Sequence, residues 1–169
     1  MKKTLSLLLM FCFSCVAYAQ TPCTLDLLKA NDEKCDESKA TSADKTAYVD
    51  YRVKNFTGLD ALEVRRFFEL LKKASAKNDK KYLGNIVRYP ITFYDHAKLK
   101  KITNHIDFEK KYSSIFNEKV RGAIAKQKYE DLFVNWQGIM VGNGEVWISG
   151  IVVGKSPSKI DIKIITINN

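Results

Sequence analysis

The sequence predicts an α+β domain in which N-terminal helices pack on one face of a curved antiparallel sheet. Two patterns carry this reading. Ala61, Val64, Phe67, Phe68, Leu71 and Ala74 recur at helical spacing, whereas from Asp131 onward short runs rich in β-branched and aromatic residues alternate with turn residues. Helices first and a strand meander last is the order of an α+β fold. No internal repeat or linker divides residues 57–169, so they read as one domain.

The first nineteen residues are set apart. Lys2 and Lys3 precede an apolar run from Leu5 to Val16, and Ala17-Tyr18-Ala19 is an A-x-A cleavage signal before Gln20. These are the three parts of a secretory signal peptide. The apolar run is too short to span a membrane, so the chain is expected to be exported to the periplasm or beyond rather than held in a bilayer. Residues 20–56 then read as an irregular, polar arm. Leu25, Leu27 and Leu28 suit one short helical turn within it, and Tyr48, Tyr51 and Val53 suggest an extended segment.

The ordered domain begins near Thr57. Asp60, with Glu63 three residues on, is a helix-start signal for the segment through Ala74. A second helix is expected from about Asp79 to Val87, stopped by Pro90. Ile91 to Tyr94 and Leu99 to Ile102 read as short strands. Asn104 caps a third helix that carries Phe108, Tyr112, Ile115 and Phe116 inward, and Asn117 caps a fourth through Val120 and Ile124. Leu132–Trp136, Gly138–Val141, Glu145–Val153 and Ile160–Ile167 follow as strands. Gly142-Asn143-Gly144 and Lys155-Ser156-Pro157-Ser158 supply turns between them.

Cleavage after Ala19 removes Cys12 and Cys15 and leaves Cys23 and Cys35. Two cysteines in an oxidising compartment are expected to pair. A zinc site needs further ligands close by, and His96 and His105 are both distant in sequence. Cleavage also takes Lys2 and Lys3 from the 28 basic side chains, leaving 26 against 19 acidic ones and a net charge of +7. That surplus favours an envelope protein or an acidic envelope polymer as partner. Nucleic acid is not expected, because the chain is exported and its lysine pairs are scattered among acids rather than gathered in one stripe.

The ordering of elements, with Arg88-Tyr89-Pro90-Ile91 leading into a strand and Ile102-Thr103-Asn104 opening a helix, resembles the nuclear transport factor 2-like, or cystatin-like, cone fold over roughly residues 58–168. The segments Asp131 to Gly142 and Gly144-Glu145-Val146-Trp147 are similar to a pattern in small exported bacterial proteins of that fold with no assigned activity. The resemblance implies a pocket between sheet and helices, where the enzymes of the superfamily place an acid or a base.

Asp95, His96 and Glu145 are the candidates for such a pair, since burial moves both carboxyl and imidazole groups toward neutral titration. Asp95-His96-Ala97-Lys98 also fits a polar surface turn between two strands. No serine sits in a G-x-S-x-G elbow, no glutamate–histidine pair stands at metal-ligand spacing, and no cofactor fingerprint occurs in the sequence. Tyr94, Trp136, Gln137 and Trp147 are better suited to binding than to catalysis, because an aromatic side chain on an open sheet face stacks on a sugar ring or anchors a partner protein; the ordinary role of Trp147, alternating with Val146 and Ile148, is core packing. The sequence therefore points to a small exported binding module, of the inhibitor or immunity type, for an envelope enzyme or toxin. The alternative is a cone-fold enzyme acting on a small hydrophobic or glycan-like molecule through an acid–base pair.

Overall fold

The structure, a computed structural model, describes residues 23–30, 37–154 and 159–169. The expected signal peptide, its cleavage site, Cys35 and the turn at 155–158 lie outside the described residues. Among the described residues there are six α-helices and two antiparallel sheets.

The helices are α1 (Leu25–Ala30), α2 (Ser42–Arg52), α3 (Ala61–Ala76), α4 (Lys80–Asn85), α5 (His105–Ile115) and α6 (Glu118–Lys126). The caps are those the sequence points to. Asp60 accepts from the amides of Leu62 and Glu63, Asn104 from that of Asp107, and Asn117 from that of Val120. Each supplies an acceptor to a helix-end N–H that has no partner within the helix.

Two expectations are corrected. Residues 42–57, read as part of an irregular arm with an extended stretch at Tyr48–Val53, are helical throughout: α2 runs on into a π-helical turn, Val53–Thr57. Thr41 caps α2 by accepting from the amide of Asp44, Val49 and Val53 are buried one turn apart, and Gly58 at φ 69° ends the segment. The helix also owes its place to distant residues. Arg65 on α3 forms a two-point ion pair with Asp50, and the Tyr129 hydroxyl donates to the same carboxylate at 2.9 Å. The second correction is to α4, which ends at Asn85 rather than Val87. Residues 86–88 instead pair with the last strand, where the Arg88 amide donates to Ile164 O and the Ile164 amide to Ile86 O, both at 2.8 Å. A strand hydrogen bond on each side outweighs one further helical turn.

The first sheet is a hairpin of β1 (Ile91–Asp95) and β2 (Lys98–Ile102). The second is a meander in the order β3 (Phe133–Asn135), β4 (Gly138–Val141), β5 (Val146–Val152) and β6 (Ile160–Ile167). Gly138 is required at the β3–β4 turn, because its φ is 138° and a Cβ there would strike the carbonyl of Ile148. Alternate residues of β1 and of the start of β5 point to a single core. Ile91, Phe93, Val134, Ile139, Val141, Val146, Ile148 and Ile164 face inward onto Phe68, Leu71, Phe108, Ile115, Phe116 and Ile124 from the helices. Phe108 meets Phe116 edge-on with ring centres 5.7 Å apart, and Tyr112 stacks on Phe116 at the same separation. Cys23 is buried at the N-terminal end of the described chain.

Candidate functional site

The acid–base candidates are tied up in structure. Asp95 ends β1 with its side chain on the core side and only 8% exposed. Its carboxylate accepts from the Lys100 ammonium at 2.7 Å, lies 2.9 Å from Nδ1 of His96, and has Lys111 at 4.0 Å. The Lys100 hydrogen bond, reinforced by His96, holds this carboxyl below the usual range. It is therefore a firmly ionised anion rather than a base tuned near neutral pH. His96 and Ala97 both have positive φ, 50° and 62°, the geometry of a tight two-residue hairpin turn. The His96 side chain is 95% exposed. Glu145 closes its own turn by accepting from the Asn143 amide at 2.6 Å. The space between sheet and helices is occupied by Phe68, Phe93, Phe108 and Phe116, each no more than 1% exposed. Among the described residues no three metal-ligating side chains gather into a cluster.

The binding candidates have a different placement. Tyr94 alternates with buried Phe93 and Asp95 and so stands on the side of β1 away from the core, 56% exposed. Trp147 alternates with buried Val146 and Ile148 and so stands on the side of β5 away from the core, in the other sheet. Register extends the surface: Phe133 pairs with Met140, Met140 with Trp147, and Trp147 with Thr166, forming one row across all four strands of the meander. On the hairpin, Tyr94 pairs with Leu99, which is 62% exposed. Trp136 and Gln137 occupy the β3–β4 turn at the margin of this face, with Trp136 78% exposed. The Asn135 side chain accepts from the Gln137 amide at 2.9 Å and fixes that turn.

The border of the face was not legible in sequence. Arg52 of α2 donates from Nε to the Val134 carbonyl at 2.9 Å. Its guanidinium carbon lies 5.2 to 5.5 Å from the ring centres of Tyr48, Phe56 and Phe133. Cation–π contacts of this kind hold a planar cation among rings, and here they pin α2 to the edge strand β3. Phe56 and Phe133 remain 47% and 44% exposed. Their partnership depends on residues far apart in the chain, and the only local hint was the four-residue spacing of Tyr48, Arg52 and Phe56.

Comparison of the chain with protein-family models, with curated proteins and with solved structures found no significant match. No helix among the described residues is long and apolar enough to cross a membrane.

Proposed function

We propose that this protein is an exported binding module whose outer sheet face, built on Tyr94, Leu99, Trp136, Trp147 and Phe133, seats an envelope protein as an inhibitor or immunity factor does. One observation carries the reading. Tyr94, Trp136 and Phe133 are exposed on or beside the strands, while the inner side is filled and the Asp95 carboxylate is held by Lys100 and His96. Exposed aromatics of this kind, ringed by polar groups, are how interfaces obtain most of their binding energy. The signal peptide places such a module in the periplasm or outside the cell. A Cys23–Cys35 bridge anchors the N-terminal arm there, in keeping with the burial of Cys23. The helices, hairpin and meander around one core, with β1 set beside the end of β6, support the nuclear transport factor 2-like resemblance.

The test is affinity capture from an envelope fraction with the native protein and with Tyr94→Ala and Trp136→Ala variants. Both positions are exposed, so both variants are expected to fold. A discrete partner retained by the native protein and lost from both variants supports the reading. Equal retention by all three sinks it.

A further inference from the structure

On the helical side of the molecule, remote in function from the aromatic face, a groove of about 590 Å³ runs between α3 and α6. Lys72, Lys73 and Arg121 line it together with a single acid, Glu69. None of these three cations meets a carboxylate of the described residues within 4 Å; the ion pairs there lie elsewhere, at Asp50, Asp95 and Asp107. Two of them are held instead by neutral acceptors. Arg121 donates from Nη1 to Oδ1 of Asn78 at 2.9 Å, and Lys72 donates to the Gln127 carbonyl at 2.7 Å. Asn78 is itself fixed. It sits at φ 52°, just beyond α3, and its Oδ1 also accepts from the Tyr112 hydroxyl at 3.2 Å. Glycine is the usual residue at such a left-handed helix end. Here a side chain is kept, and it orients a guanidinium toward the groove. A neutral amide steers Arg121 without cancelling its charge.

We propose that this groove binds the phosphate group of a phosphomonoester, carried either by a soluble molecule or by a lipid headgroup. Three cations less Glu69 leave a local charge of +2, which matches a phosphomonoester near its full ionisation. With Nη1 occupied by Asn78, the remaining N–H groups of Arg121 are the fork that pairs with phosphate oxygens, and Lys73 adds a mobile point charge. The groove lies within the size range of small-ligand sites. Its walls include Ala76 and Ala125, which leave room for the ligand.

The experiment is an NMR titration of the protein with inorganic phosphate at constant ionic strength, joined to co-sedimentation with phosphatidylcholine vesicles with and without phosphatidic acid. Native protein, Arg121→Gln, Lys73→Gln and Lys101→Gln are compared. Lys101 lies on β2, outside the groove, and serves as the charge-matched control. Saturable shifts confined to residues 72–78 and 121–125, about tenfold weaker in Arg121→Gln and unchanged in Lys101→Gln, are expected. Lys73→Gln removes a groove cation without touching the Asn78 network, so its weakening excludes misfolding as the cause. Vesicle binding that needs phosphatidic acid and is lost with Arg121→Gln assigns the phosphate to a headgroup. Phosphate binding without vesicle binding assigns it to a soluble molecule. Shifts that sodium chloride reproduces, or that weaken equally in Arg121→Gln and Lys101→Gln, overturn the proposal.

Discussion

The side-chain amide of Asn169 brackets the peptide group of Tyr94, accepting from its N–H at 2.9 Å and donating to its carbonyl at 2.7 Å. It imitates a neighbouring strand where β1 lies beside the end of β6, and it donates at 2.7 Å to the Ser114 carbonyl as well. One side chain thus joins the hairpin, the meander and α5. Asn169→Ala is expected to lower stability by about 1–2 kcal/mol, the net worth of one or two such bonds. The Tyr94 amide is expected to exchange faster with solvent. Denaturant unfolding together with hydrogen exchange checks both, and unchanged protection at Tyr94 would show that the clamp is not formed.

Asp95 gives a prediction in acid. Its folded pKa lies below the ordinary carboxyl value because Lys100, and then His96, favour the anion. A depressed value means that the stabilisation is present above the ordinary range, near about 3.9, and is lost as pH falls through the folded value. An NMR titration of the Asp95 carboxyl is expected to show this low inflection, and Lys100→Gln to move it upward. An inflection that Lys100→Gln leaves in place contradicts the assignment.

Tyr129 gives the converse in alkali. Burial first, and then its hydrogen bond to Asp50, push its hydroxyl well above the usual tyrosine value. With the folded value above the unfolded one, the protein holds this proton more tightly than the unfolded chain does. The contribution is complete below about pH 10 and is lost as pH rises beyond that. Burial raises Tyr89 in the same direction. Tyr129→Phe is expected to flatten the alkaline loss of stability, seen as a smaller fall in Tm between pH 9 and 11, despite costing stability at neutral pH.

The two tryptophans are expected to report different surroundings. Trp136 stands in solvent at the β3–β4 turn, whereas Trp147 is half-buried beside Met140 and Thr166. In Trp147→Phe, the remaining emission is expected to be red-shifted and readily quenched by acrylamide. In Trp136→Phe it is expected to be bluer and less accessible. Removing the exposed ring changes stability by no more than about 0.5 kcal/mol, as surface substitutions usually do.

Much of the fold was written locally. Asp60, Asn104 and Asn117 each stand where a helix-end amide needs an acceptor, and Val146-Trp147-Ile148 shows its two faces by alternation. Helix α2 was illegible because only Val49 and Val53 mark an apolar stripe on it. Its remaining anchors, Asp50 to Arg65 and Arg52 to Phe133, join residues separated by fifteen and by eighty-one positions. The candidate face was half legible. Strand period showed that one face of β5 carries Trp147 but not that this face is open, and the contributions of Tyr94, Leu99 and Phe133 needed the fold and the strand register. The turn at Asp95-His96-Ala97-Lys98 was legible from its polar residues between two strands, but the inward side of Asp95 and its bond to Lys100 needed the fold.

The most direct test of the binding-face reading is photo-crosslinking in the envelope, with a photoreactive residue placed at Trp136 in one variant and at Lys81, exposed on α4, in another. A discrete adduct from position 136 that is absent from position 81 is the predicted result. Adducts of the same pattern from both positions, or none from position 136, would contradict the claim that the outer sheet face is where this protein meets its partner.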